Sequence, residues 1–251
     1  MAGNHLRRHL DYCKSKGAYY VGTGDYVDLM SPSNRARLKS AGLYDNTART
    51  IEDKARELTE QLYGEYLSGT RGRWLGLVHG HHWSDIGNGE TTDQLLARSL
   101  DSTYLGTCAY VQLVFRGPGA RFGSLTLWVH HGTGGGRAGA ALNKLEVLAT
   151  NWEADVFVMG HTTKLSTAPI NRIYPDFQSG SGPRLRHKKV YLINSGGWAK
   201  GYAAGSRREG RPAGDYVEEK MLAPAALGGS LLKVVAHWSG RGWRPELKVE
   251  V

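Results

Sequence analysis

Apolar residues recur at helical spacing through residues 4–16, at Leu6, Leu10 and Cys13, and Gly17 follows where a helix would end. Residues 18–21 then read as a short strand that breaks at Gly22-Thr23-Gly24-Asp25, leaving Asp25 in the loop beyond it. Ser31-Pro32-Ser33-Asn34 is turn-like and suits the opening of a short helix. A longer amphipathic helix is predicted over 50–66, where Ile51, Ala55, Leu58, Leu62 and Tyr66 share one face. Residues 74–78 form an apolar run ending at His79-Gly80-His81-His82, and 91–100 read as a helix.

Further strands are predicted at 106–115 and 124–129, the second running into His130-His131-Gly132 and a turn at Gly134-Gly135-Gly136. A helix at 139–151 and a buried strand at 155–159 follow, the strand ending at Gly160-His161-Thr162-Thr163. After an irregular stretch come strands at 190–194 and 231–237. Residues 203–214 are rich in Gly and Arg and read as an exposed loop, and 240–251 read as a tail. Strands alternating with helices early, then strands at closer spacing, predict a layered α/β protein with mixed sheets and helices outside. A length of 251 residues suits one domain, 1–251, with a sizeable core.

Four polar clusters, Gly24-Asp25, Gly80-His81-His82, His131-Gly132 and Gly160-His161, each lie just beyond the end of a predicted strand. Loops from separate strands converge at such ends in open α/β sheets. One Gly-Asp alone is usually a turn, and one Gly-His alone a surface histidine. Four at successive strand ends point to a shared site, and one carboxylate with three imidazoles suits zinc, manganese or iron. His130 is the alternative to His131, its neighbour on the opposite strand face.

Composition narrows the picture further. A formal charge of +9 favours partners that carry phosphate, nucleic acid included, without fixing one. Lys54, Arg56, Arg71 and Arg73, or Arg207, Arg208 and Arg211, are candidates for steering such a polyanion, although no fixed base-reading motif accompanies them. The two cysteines, Cys13 and Cys108, match no metal or redox spacing, which predicts buried thiols and a reducing, cytoplasmic setting. No apolar run approaches the ~18 residues of a membrane span.

The chain resembles the calcineurin-like metallophosphoesterases, phage and bacterial members in particular, whose motifs run D-x-H, G-D-x-x-D, G-N-H, a histidine before glycine, and G-H-x-H. Gly24-Asp25-Tyr26-Val27-Asp28 matches the second motif, Gly80-His81-His82 the third with His81 for Asn, His131-Gly132 the fourth, and Gly160-His161-Thr162-Thr163 the fifth with Thr163 for His. Asn194-Ser195-Gly196-Gly197-Trp198 is similar to the late core strand of such proteins. The resemblance implies a four-layer α/β/β/α sandwich of two mixed sheets with outer helices, here lacking the first core strand. Ala2-Gly3-Asn4 matches the residues that follow D-x-H, so the chain reads as one that starts late.

By the same resemblance Asp25 bridges two ions, and His81, His131 and His161 complete the shell of one of them. Mn2+ is the expected ion, with Zn2+ or Fe2+ as alternatives. The other ion's site is impaired, because both D-x-H ligands and the last histidine of G-H-x-H are absent. His82 takes the place of the proton donor to the leaving group, with Asp85 a weak candidate to orient it, and Arg35 is a candidate phosphate contact. The expected activity is hydrolysis of a phosphomonoester or phosphodiester by metal-activated water. Two alternatives stand beside it: an impaired or inactive relative that binds nucleic acid or acts as a scaffold, and a truncated reading frame whose product folds poorly.

Overall fold

The computed structural model describes residues 2–250 apart from 43–44, 136–137, 178–181, 183, 206, 209–210, 213–215, 220 and 240–241. Gly136 of the expected glycine turn, part of the expected loop at 203–214, and Gly240, Arg241 and Val251 of the expected tail lie outside the described residues.

Helix α1 (Gly3–Ser15) buries Leu6, Leu10 and Cys13 and is followed by Gly17 at φ 66°, a left-handed turn that glycine adopts without strain. Strand β1 (Tyr20–Gly22) comes next, then α2 (Pro32–Ala41), where the Ser31 hydroxyl accepts the Asn34 N–H and Pro32 occupies the first turn. Helix α3 (Asp45–Leu62) continues through a π-helical turn, Tyr63–Leu67. After β2 (Trp74–Val78), α4 (Thr92–Ser99) opens with a capping box between Thr91 and Gln94. The order then runs β3 (Tyr104–Gly106), β4 (Cys108–Arg116), β5 (Phe122–His130), α5 (Ala138–Asn151), β6 (Val156–Met159), β7 (Leu165–Asp176) and β8 (Arg184–Ser195). A short hairpin, β9 (Arg207–Arg208) and β10 (Arg211–Pro212), and α6 (Tyr216–Glu219) precede β11 (Leu231–Ser239) and β12 (Gly242–Glu250).

One sheet has the order β4-β5-β6-β8-β7, with β5, β6 and β8 parallel and the outer strands antiparallel to their neighbours. Facing it are the parallel set β1-β2-β3 and the antiparallel hairpin β11-β12, which together make a second layer of mixed direction. Between the layers lie Val78, Leu125, Leu127, Val129, Val156, Val158 and Ile193, packed against Leu232, Val234, Leu247 and Val249 of the hairpin. Outside one layer, α1, α3 and α4 pack Leu6, Leu10, Leu62, Leu96 and Leu100 around Leu77; outside the other, α5 packs Leu145 and Ala149 on Trp128, Phe157 and Leu192. This is the expected four-layer α/β/β/α sandwich with outer helices.

The departures have local causes. The stretch expected to be irregular is β7, twelve residues long, paired along its length with a β8 that begins six residues before the predicted strand. Pro169 and Pro175 are tolerated because β7 is an edge strand with no second neighbour to supply with N–H groups. The expected strand at 106–115 splits at Gly106, φ 71°, where the chain leaves one sheet for the other. Residues 242–250 of the expected tail form β12, in register with β11. Cys13 is buried as expected, but Cys108 is exposed, because it begins the alternating edge strand β4 on its outward face. Among the described residues no helix is long and apolar enough to cross a membrane. There, too, β1 pairs with β2 alone, and its other edge is open, as expected for a sheet that lacks a core strand.

Candidate metal centre

Four loops meet beyond the carboxyl ends of β1, β2, β5 and β6. They carry Asp25, His79 to His82, His131 and His161. Their approach depends on glycine: a Cβ on Gly80 would lie 2.1 Å from the Asp25 backbone nitrogen, and one on Gly24 would lie 2.5 Å from His131 Nδ1. Asp25 (φ 55°) and His161 (φ 62°) both sit in the left-handed region, which non-glycine residues rarely occupy. Strain at these two positions is held by the surrounding contacts, as is common at functional sites.

His131 is 2% exposed, and its Nδ1 lies 2.6 Å from the Thr23 carbonyl. That contact fixes the proton on Nδ1 and leaves the Nε2 lone pair facing the cluster, the arrangement typical of a ligating imidazole. His131 Nε2 lies 3.2 Å from His161 Nδ1, which lies 3.1 Å from His81 Nδ1. Two N···N separations of that size are what an ion at ~2.0–2.1 Å from each nitrogen requires, with ligand angles of about 100°. The three imidazoles therefore fit a divalent ion and could hold one.

Asp25 borders this triad. Its Oδ2 lies 3.2 Å from His131 Nε2, while Oδ1 accepts the backbone N–H groups of His81 at 2.5 Å and His82 at 2.9 Å. Burial by itself would raise the Asp25 pKa, but the bond and charge of His131, joined by the His82 contacts, bring it well below the usual carboxylate range. Desolvation, with His131 close by, lowers the pKa of His81 and of His161, keeping both neutral and available as ligands.

His82 faces away from the triad. Its Nδ1 is 2.8 Å from Asp28 Oδ1, and the acceptor raises the His82 pKa against the opposing effect of burial. Asp85, weighed as the residue that orients His82, instead bridges Thr91 on the way into α4. Asp28 was legible as the last residue of Gly24-Asp25-Tyr26-Val27-Asp28, but its partner lies across the fold. Arg35, weighed as a phosphate contact, donates through Nη1 to the carbonyls of Met30, His81 and Trp83 and stacks 4.0 Å from the Trp83 ring centroid. It holds the His81–Trp83 loop in place.

His130 stacks on Trp128, and its Nδ1 accepts the Gly132 N–H, so His131 and not His130 joins the triad. His79 is engaged with the Tyr104 hydroxyl at 2.8 Å. Thr163 and Ser195 line the cavity beyond Asp25, on the side opposite the three imidazoles' meeting point. Several of the basic residues weighed for nucleic acid are engaged within the chain: Lys54 with Glu57, Arg56 with the Ile86 carbonyl, and Arg73 over the Tyr19 ring.

Beneath the site, Asp93 accepts the Gly80 N–H at 3.0 Å and is 3% exposed. Burial pushes its pKa from 3.8 up to about 6. A carboxyl whose folded pKa exceeds its unfolded one binds more protons when folded, so stability is lost as pH rises through that window and stays lost above it. In the metal-free protein, Asp93→Asn should therefore stabilise by about 2 kcal/mol at pH 7, raising Tm by roughly 5 °C, with the gain vanishing below about pH 4. Equal gains at both pH values in thermal melts would show that Asp93 is not the titrating group.

No family model matches the sequence, and no curated protein is similar to it. Among solved structures the chain is similar to wild-type Vps29 of Entamoeba histolytica complexed with Zn2+, at 13% identity, with 75% of this chain and 88% of that one covered and a TM-score of 0.30. A likeness of that size leaves the reading of the centre to the chain's own geometry.

Proposed function

We propose that the protein binds one divalent ion through His81, His131 and His161, with Asp25 at its border, and uses the centre to hold phosphate esters as an impaired relative of the calcineurin-like phosphoesterases. The observation that carries this reading is the triad itself: three imidazole nitrogens within 4.8 Å of one another, with no proton partner that could satisfy all three. Such an ion polarises phosphoryl oxygens and lowers the pKa of bound water. Mn2+ is the first candidate for a mixed nitrogen and oxygen set of this kind, and Zn2+ or Fe2+ are alternatives.

The chain's own residues set the rest. Asp25 and the glycine-flanked loops position the imidazoles, and Arg35 fixes the loop that carries His81 and His82. His82, its proton held by Asp28, is placed to bond a phosphoryl oxygen or give that proton to a leaving group. This pair favours a second reading, residual hydrolysis of a phosphomonoester or phosphodiester. The first reading is favoured because the other half of a two-ion centre has no candidate ligands beyond Asp25 besides Thr163 and Ser195, whose hydroxyls are weak ligands for such ions.

Metal content and inorganic phosphate binding decide between them. Purified protein under reducing conditions should take up one Mn2+ or Zn2+ per chain, and phosphate should bind the loaded protein but not the metal-free one. Turnover of a generic aryl phosphate that falls with His82→Ala would establish the hydrolase reading; no divalent ion bound at all would reject both.

A further inference from the structure

The open edge of β1 borders a cavity of about 1290 Å³ that runs through the molecule from the outer helices to the inner face of the five-stranded sheet. It exceeds the ~300–1,000 Å³ usual for small-molecule sites. Its shape follows from its walls. On one side is the unpaired edge of β1, and on the other are Leu231 to Val234 of β11, which pairs only with β12. Above lie Leu6 and Leu10 of α1 and Leu62 of α3; below lie Leu127, Val158 and Ile193. Two strand edges with unpaired backbone groups, roofed and floored by apolar side chains, leave polar groups unsatisfied and dispersion contacts unmade. One such group is on view: Ser230 Oγ is buried at the cavity wall and has no partner.

We propose that this cavity is a strand-acceptor slot, filled by an extended segment of about five apolar residues that runs parallel to β1 and leads directly into α1. Direction comes from α1. The Ala2 N–H bonds the Trp198 carbonyl, so the helix starts beside the loop after β8, at the metal end of the slot, and returns to the far end where β1 begins. A strand feeding α1 therefore runs the same way as β1, and strand, helix and β1 complete a parallel crossover unit. Length comes from the rise of ~3.3 Å per residue, five residues covering β1 and its flanks. Composition comes from the two faces: odd positions meet one apolar wall and even positions the other, so the segment is apolar throughout, unlike a strand with one wet face. The inference does not rest on the metal centre, since no triad residue contributes to the pairing edges.

The test joins five consecutive Val, Ile or Leu residues, with a two-residue link, ahead of Met1 in the full chain. A matched extension with Lys at the third position serves as control. The apolar extension should raise Tm by roughly 10 °C, suppress binding of the apolar dye ANS, and slow amide exchange at Tyr20 to Gly22 and Leu231 to Val234 by at least tenfold. The Lys control should do none of these. A further variant, Val158→Trp, puts bulk into the slot floor and should block protection by the extension. Unchanged exchange at both edges with the apolar extension, or equal protection by the Lys control, would overturn the proposal. Exchange at the metal loops, read in the same experiment without metal, reports separately on the centre.

Discussion

Replacing His131 with alanine should abolish stoichiometric ion binding and destabilise the metal-free protein as well. Loss of a group that merely orients a ligand costs ~10–100-fold in metal affinity, so removing the best-positioned imidazole should cost more than ~100-fold. The second effect follows from Asp25. His131 supplies the main contact that holds this half-buried carboxylate ionised, and its loss leaves the charge with only the N–H groups of His81 and His82. Breaking a pair of this kind should destabilise by about 2–3 kcal/mol, somewhat below a fully buried pair because Asp25 keeps some solvent contact. His161→Ala makes the contrast. Its ring is partly exposed and its polar contacts run only to the other two imidazoles, so ion binding should fail while metal-free Tm barely moves. Metal analysis and thermal melts of the two variants check both halves. One tightly held ion per chain in His131→Ala would sink the assignment of the centre.

What could be read before any coordinates depended on the range of the interaction. Helix α1 and strand β2 were legible almost to the residue, because three-residue spacing in one and an unbroken apolar run in the other are local signals. The triad was legible because strand ends in a layered α/β protein converge, so residues 81, 131 and 161 could be brought together by topology alone. Strand β7 was not. Its two prolines and its exposed Ile173 and Tyr174 obey the rules of an edge, and edge status depends on a partner, β8, known only once the sheet is ordered. The same holds for Asp28. Its place three residues after Asp25 was visible, but its pairing with His82 joins the loop after β1 to the loop after β2, and nothing local couples those two.

Arg35 is the instructive misreading. A guanidinium near a phosphate-type motif invites the idea of a ligand contact, yet three carbonyls that face one another in the Met30 and His81–Trp83 loops need a donor more urgently than a substrate does. Its role is then to keep His81 at ligand distance, and it reaches the reaction only through that loop.

Supplying the missing side of Asp25 should convert a one-ion centre into a two-ion centre. The existing ligands all approach from the side of His131 and His161, whereas the opposite side opens into the slot and offers Thr163 and Ser195. A strand placed in that slot and ending in Asp-x-His would bring a carboxylate and an imidazole to the vacant face, and Thr163→His would add the third ligand. With both changes the ion count should rise from one to two per chain. Turnover of an aryl phosphate in Mn2+ should rise by ~100-fold or more, because a second charge beside the attacking and leaving oxygens is worth several kcal/mol of transition-state stabilisation. Either change alone should fall short, since the strand without the histidine leaves a hydroxyl in the shell and the histidine without the strand leaves two ligands unsupplied. Inductively coupled plasma analysis and steady-state rates of the four combinations measure this directly. Two ions in the unaltered chain would contradict it; two ions without a rate gain in the doubly changed chain would move the defect to the His82–Asp28 pair.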